Sequence, residues 1–207
     1  MCLEYDTCCQ MAPAVYPQNW RLSAYHRFPL RRMENYVGGC VGEKLAPFNP
    51  SGDEVIRMAI DMLKIGQTDI VYDLGCGDGR LLVEAVKSSG ARGVGVEYDK
   101  RFVDRAIQRV TDADLGLQIR IIHGNVMDID PTGATAVFVY LVPAGMVAVR
   151  EALVSLLNAG ARVVTYVFSV PDLVPVRVET FKATKIYLYT AASLEPSSPS
   201  SRESNQA

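Results

Sequence analysis

From about Ser51 onward, apolar residues recur at intervals of three and four in Val55, Met58, Ala59, Met62 and Leu63, the spacing that lines one face of a helix. Ser51 and Glu54 stand three apart at its start, which reads as a capping box for the first unpaired amide hydrogens, with Pro50 directing the entry. Beyond Gly66 two periods alternate. Short runs rich in apolar and β-branched residues predict strands over 70–74, 93–97, 118–123, 136–141 and 162–168. Helical spacing between them predicts helices over 80–88, 100–111 and 145–158, the last one ending before Gly160. A strand, helix, strand succession requires parallel pairing, so the fold class expected is α/β, a doubly wound and mainly parallel sheet. The finish breaks this rhythm. Two strand-like runs, 176–181 and 185–192, are separated by only three residues, too few for a crossover helix, and predict a C-terminal antiparallel hairpin.

The flanks lack this patterning. Residues 1–45 are expected to form an irregular N-terminal arm, 46–192 the folded domain, and 193–207 a disordered Ser/Pro-rich tail with little to bury. Composition is that of an ordinary globular chain, 49% hydrophobic and 21% charged over 207 residues, enough for one core. Lys and Arg number 21 against 23 Asp and Glu, and no long basic run is present to follow a phosphate backbone, so nucleic acid is not expected as a partner. The longest apolar candidate, 134–149, is interrupted by Pro143 and Gly145, so no transmembrane segment is expected. Cys2, Cys8, Cys9, Cys40 and Cys76 form no paired CxxC motifs, and with two histidines no metal site is expected. Four arginines, Arg21, Arg27, Arg31 and Arg32, lie in a stretch from Thr7 to Met33 without acidic residues, as in import segments; Glu4 and Asp6 upstream are unlike them.

The chemistry concentrates where the first strand ends. Asp73-Leu74-Gly75-Cys76-Gly77-Asp78-Gly79 turns from a strand into a helix at the carboxyl edge of the expected sheet, where open α/β folds take ligands. Glycines let the chain turn sharply, bring bare backbone to a ligand and pack the helix closely. Five residues after Gly75 stands Arg80, and five after Gly77 stands Leu82, so the dinucleotide spacing G-x-G-x-x-G fails. The P-loop fails as well, because no Gly-Lys-Ser/Thr closes the turn. Glu97 ends the second strand eighteen residues after Gly79, where a carboxylate accepts hydrogen bonds from two ribose hydroxyls, each of about 1.5–3 kcal/mol.

The remaining pattern, D-x-G-x-G-x-G, resembles the first motif of class I, seven-strand S-adenosylmethionine-dependent methyltransferases, whose sheet is Rossmann-like. That resemblance implies S-adenosyl-L-methionine as cofactor. It places Asp73 near the methionine ammonium, the backbone of Gly75, Cys76, Gly77 and Gly79 along the methionine chain and ribose, and Glu97 on the ribose. At the third strand's end the family usually carries an aspartate for the adenine amino group; here Asn125 stands there, followed by Val126, with Asp128 as a substitute.

A narrower resemblance follows. Pro47-Phe48-Asn49-Pro50-Ser51-Gly52-Asp53-Glu54-Val55, Val137-Phe138-Val139-Tyr140-Leu141-Val142-Pro143 and Gly160-Ala161-Arg162-Val163-Val164 are similar to segments of a mitochondrial and archaeal protein-lysine methyltransferase family. Its members act on the adenine nucleotide translocase, the ATP synthase c-subunit or archaeal proteins. By that resemblance Phe48 and Ser51 join the cofactor pocket, Phe48 in place of a tyrosine, and the partner is a protein presenting a lysine. Mitochondrial placement is implied if the arm imports the chain, cytoplasmic placement if it does not. Tyr140-Leu141-Val142-Pro143 replaces the Asp/Asn-Pro-Pro-Tyr that grips planar nitrogens, which disfavours adenine and glutamine amide acceptors. Tyr140 is the catalytic candidate, lining a channel that desolvates and aligns a lysine amine for direct in-line transfer. The alternatives are a small-molecule O- or N-methyltransferase and a non-catalytic cofactor-binding partner protein.

Overall fold

The computed structural model describes residues 50–195. The first helix, α1 (Asp53–Leu63), buries Val55, Ile56, Ala59, Met62 and Leu63, the face its spacing predicts. Its start differs from expectation. Gly52 is the N-cap and no side chain caps it. Ser51 and Glu54 therefore form no capping box: Glu54 pairs with Arg57, three residues on, while Ser51 is buried and its carbonyl faces Arg80. Asp53 and Glu54 in the first turn still oppose the positive end of the helix dipole.

Strands and helices then alternate: β1 (Ile70–Leu74), α2 (Arg80–Ser89), β2 (Arg92–Glu97), α3 (Lys100–Asp112), β3 (Ile119–His123), β4 (Ala136–Val139), α4 (Pro143–Asn158) and β5 (Arg162–Tyr166). The hairpin β6 (Arg177–Phe181) and β7 (Thr184–Tyr189) closes the sheet, with a 3-10 turn at Ala191–Leu194 after it. The order is β3-β2-β1-β4-β5-β7-β6, parallel through the first five positions and antiparallel where β7 joins β5 and β6. This is the doubly wound, seven-strand α/β sheet with an antiparallel finish.

Several boundaries moved: β5 ends at Tyr166 rather than 168, β7 ends at Tyr189 rather than 192, and α4 begins at Pro143 rather than 145. Strand β4 stops at Val139 rather than 141, because Pro143 opens α4 at a position where its missing amide hydrogen costs nothing. At the other end, Ser193 is buried and takes part in a capping box with Thr190, so ordered structure continues past 192. The arm expected over 1–45 and the tail beyond 195 lie outside the described residues.

The sheet divides the core. One face packs Val71, Phe138, Val164 and Ile186 under α1, α2 and α3, and the other packs Leu74, Val137, Val139 and Val163 under α4. Gly95 lets α2 come close: a methyl group there would lie 2.7 Å from Cys76 Sγ and 2.8 Å from Leu82 Cδ1. At the amino edge of the strands, Asp69 gathers the Gly66 amide, the Thr135 hydroxyl and the Arg162 guanidinium. Burial pushes its carboxyl upward, but these partners outweigh burial and hold it below the usual carboxylate value. No helix among the described residues is long and apolar enough to cross a membrane.

Candidate active site

Strand order reverses at β1, which lies between β2 and β4, and the crevice at that carboxyl edge is where open sheets take ligands. The glycine loop borders it. The amides of Gly75 and Cys76 both donate to the Val96 carbonyl at 2.9 Å, and Gly79 donates to the Cys76 carbonyl at 2.9 Å. Gly75, Gly77 and Gly79 have φ values of 91°, 54° and 74°, the left-handed region that side chains avoid. At Gly79 a Cβ would also sit 3.1 Å from that of Ala106, so the glycine admits α3 against α2.

Glu97 is built into the same loop. Its Oε2 accepts the Gly77 amide at 2.9 Å and its Oε1 accepts the Asp99 amide at 2.8 Å, in a residue only 9% exposed. Each oxygen keeps a further lone pair for a hydroxyl donor. The side chain thus tunes the loop's shape as well as presenting charge.

Asp73 is 4% exposed, and its carboxylate accepts no hydrogen bond among the described residues. Burial, then the negative charges of Glu97 and Asp78, push its pKa up to about 8. Asp78 has the opposite fate. Burial raises its carboxyl, yet Arg80 at 2.9 and 2.8 Å and Arg109 at 2.9 Å outweigh it and hold the group low. Arg109 also donates to the Asp78 carbonyl at 3.0 Å, tying the loop to α3, and Arg80 reaches the Ser51 carbonyl at 3.5 Å. This network was not read from the sequence, because Arg109 lies thirty-one residues from Asp78 and has no local motif.

The other expected residues separate into groups. Cys76 turns its thiol into the core against Gly95, and burial pushes that thiol well up; it offers the crevice backbone alone. Asn125 caps a 3-10 turn at Val126–Asp128, its side-chain oxygen accepting the Met127 amide at 3.0 Å. Val126 packs on the α4 side of the core. Phe48 lies outside the described residues. Tyr140 follows β4 directly, and its ring meets Tyr166 edge to face, centroids 4.8 Å apart at 62°. Tyr166 carries no sequence signal of its own, being one residue among several in an apolar run.

A sheet of this order, with a glycine turn after β1 and an acid closing β2, is that of a class I S-adenosylmethionine-dependent methyltransferase. A protein-lysine N-methyltransferase of Saccharolobus islandicus is 31% identical over 148 residues, covering 69% of this chain and 92% of the relative. A ribosomal protein L11 methyltransferase of Clostridium botulinum is 28% identical over 57% of this chain, which spans 38% of that relative. Among solved structures, an RNA methyltransferase from Salinibacter ruber in complex with S-adenosyl-L-homocysteine superposes with a TM-score of 0.68 at 29% identity, covering 72% of this chain and 98% of that one. The model of the ANTKMT methyltransferase domain matches residues 73–177, and the chain belongs to that family.

Proposed function

We propose that this chain transfers a methyl group from S-adenosylmethionine to the side-chain amine of a lysine in a protein. The observation that carries the acceptor is the similarity to the Saccharolobus protein-lysine N-methyltransferase over nearly that protein's whole length.

The crevice fits the cofactor's charges. Asp73 is a buried carboxylate beside two others, without a hydrogen-bond donor among the described residues, and such a group is stabilised by a bound cation. Asp73 would hold the methionine ammonium, Glu97 the ribose hydroxyls, and the backbone of Gly75, Cys76 and Gly77 the chain between. Asn125 and Val126 would flank the adenine, where Asn125 has its amide hydrogens to offer besides an oxygen already shared with Met127. Ser51 contributes through its carbonyl, which steadies Arg80. When bound, S-adenosylmethionine supplies a methyl carbon whose bond to sulfur breaks as the bond to nitrogen forms, leaving a neutral thioether.

The chain's own work is then exclusion and alignment. A half-buried aromatic wall at Tyr140 lowers the cost of presenting the amine unprotonated, since desolvation disfavours its charged form. Fixing nitrogen and carbon in line contributes about 7–11 kcal/mol, so no general base is required of the protein. The amine's proton passes to solvent.

The Salinibacter structure favours a second reading, an RNA acceptor. Labelled S-adenosylmethionine, incubated with the protein and an extract of cells that lack it, separates the two. Label on lysine in the protein fraction, resistant to ribonuclease, is the expected result; label confined to RNA or to small molecules rejects the lysine acceptor.

A further inference from the structure

We infer that Tyr166 is a positioning residue for methyl transfer, holding the ring of Tyr140 in place from the acceptor side of the crevice. The inference rests on the methyltransferase reading of the site, though not on which acceptor is used. Strand register sets the pair up. Leu74 pairs with Val139 and Val139 with Thr165, so the residues that follow, Gly75, Tyr140 and Tyr166, stand in a row along the carboxyl edge. Side chains alternate along strands, which places Tyr140 and Tyr166 on the same sheet face as Asp73, two residues on from Phe138 and Val164.

Tyr166 is held at both ends. Its hydroxyl lies 3.2 Å from Thr184 Oγ1, and that oxygen's single proton goes to the Phe181 carbonyl at 2.8 Å. A carbonyl accepts only, so the Tyr166 hydroxyl donates to Thr184 and anchors the ring on the β6–β7 hairpin. On the backbone side, strand β5 ends in a three-residue turn in which the Phe168 amide donates to the Tyr166 carbonyl at 2.9 Å. Its central residue, Val167, has φ 68°, a conformation that costs a β-branched residue about 1–3 kcal/mol. Surrounding bonds enforce it: the Val167 amide donates to the Lys185 carbonyl at 2.9 Å, and fully buried Thr165 donates its hydroxyl to the Phe168 carbonyl at 2.8 Å. Ending the strand abruptly here leaves Tyr166 fixed against Tyr140 while the chain turns away. Ordinary core packing needs neither the strained turn nor the hydroxyl anchor.

The test measures turnover and cofactor affinity separately on the full chain, using labelled S-adenosylmethionine with three acceptors: poly-L-lysine, and the protein and RNA fractions of cells lacking the enzyme. Tyr166→Leu lowers kcat by about 10- to 100-fold on whichever acceptor the wild type uses, with the Kd for S-adenosylmethionine changed less than about twofold. Tyr166→Phe keeps the ring contact and loses only the anchor, so its kcat falls between those of Tyr166→Leu and the wild type, about three- to tenfold below the wild type. Because Tyr166 acts through Tyr140, Tyr140→Leu and the Tyr140→Leu/Tyr166→Leu double variant have the same kcat. Additive losses, an unchanged kcat in Tyr166→Leu, or a fall in cofactor affinity as large as the fall in kcat overturn the proposal. Should Tyr166→Leu fail to fold, Thr184→Val carries the test by removing the anchor alone: a lowered kcat at intact cofactor affinity supports the role, and a wild-type kcat overturns it. A wild type that binds the cofactor and methylates none of the three acceptors removes the protein and RNA acceptor readings, and this inference with them.

Discussion

Asp73 carries a charge whose state depends on what binds beside it. With its pKa raised from 3.8 to about 8, the folded protein holds a proton there that the unfolded chain releases, so stability falls as pH rises between those values. Asp73→Asn is therefore expected to raise the melting temperature of the ligand-free protein at pH 8, the gain vanishing near pH 4, as differential scanning calorimetry would record. Cofactor binding reads the same group with the opposite sign. A bound ammonium favours the carboxylate, so affinity for S-adenosylmethionine is expected to strengthen as pH rises towards 8, until the ligand's own amine begins to lose its proton. Titration calorimetry across pH 6–9 checks this, and a flat profile in the wild type rejects Asp73 as the ammonium partner. Glu97 answers to a different comparison. Glu97→Ala removes two loop contacts and, in the proposed role, the acceptor for the ribose hydroxyls, and should weaken cofactor binding by about 10- to 100-fold; Glu97→Gln, which keeps one acceptor oxygen, should lose less. Equal affinity in the alanine variant and the wild type would falsify the ribose assignment.

At the scale of elements, the glycine loop is a joint between β1, α2 and α3. Gly79→Ala places a side chain at positive φ and against Ala106, and is expected to cost about 1–3 kcal/mol in denaturant melts as the α2–α3 contact opens. Much of this joint was legible in the sequence, because a tight strand-to-helix turn needs glycine locally whatever surrounds it. The helix starts were less legible. Ser51 and Glu54 have the spacing of a capping box, yet Arg80 draws the Ser51 carbonyl and Arg57 draws Glu54, so contacts made elsewhere in the fold overrode the local signal. Strand β4 likewise ended early once Pro143 began α4.

Across the whole molecule, the two edges of the sheet do different work. The amino edge is secured by Asp69, and the carboxyl edge carries the crevice. Asp69→Asn should destabilise the fold by about 1–3 kcal/mol at pH 7 while leaving cofactor affinity unchanged. Since the folded carboxyl is held below 3.8, its contribution is present above that pH and fades as pH falls through the native value, so wild type and variant should converge in strong acid. Convergence is read from chemical denaturation at pH 7 and pH 3; a difference that persists undiminished contradicts the assignment.

Periodicity alone determined the α/β alternation and the closing hairpin, because helix and strand spacing are properties of neighbouring residues. The motif from Asp73 to Gly79 likewise marked the loop, and Glu97 its paired acid, because that chemistry is written in short stretches of residue types. Tertiary structure decided what those groups meet. Asp78 is drawn off to Arg109 while Asp73 has no hydrogen-bond donor among the described residues, and Tyr140 meets the ring of Tyr166, whose hydroxyl reaches Thr184. Those partners come from separate strands and helices, so only strand order and register bring them together.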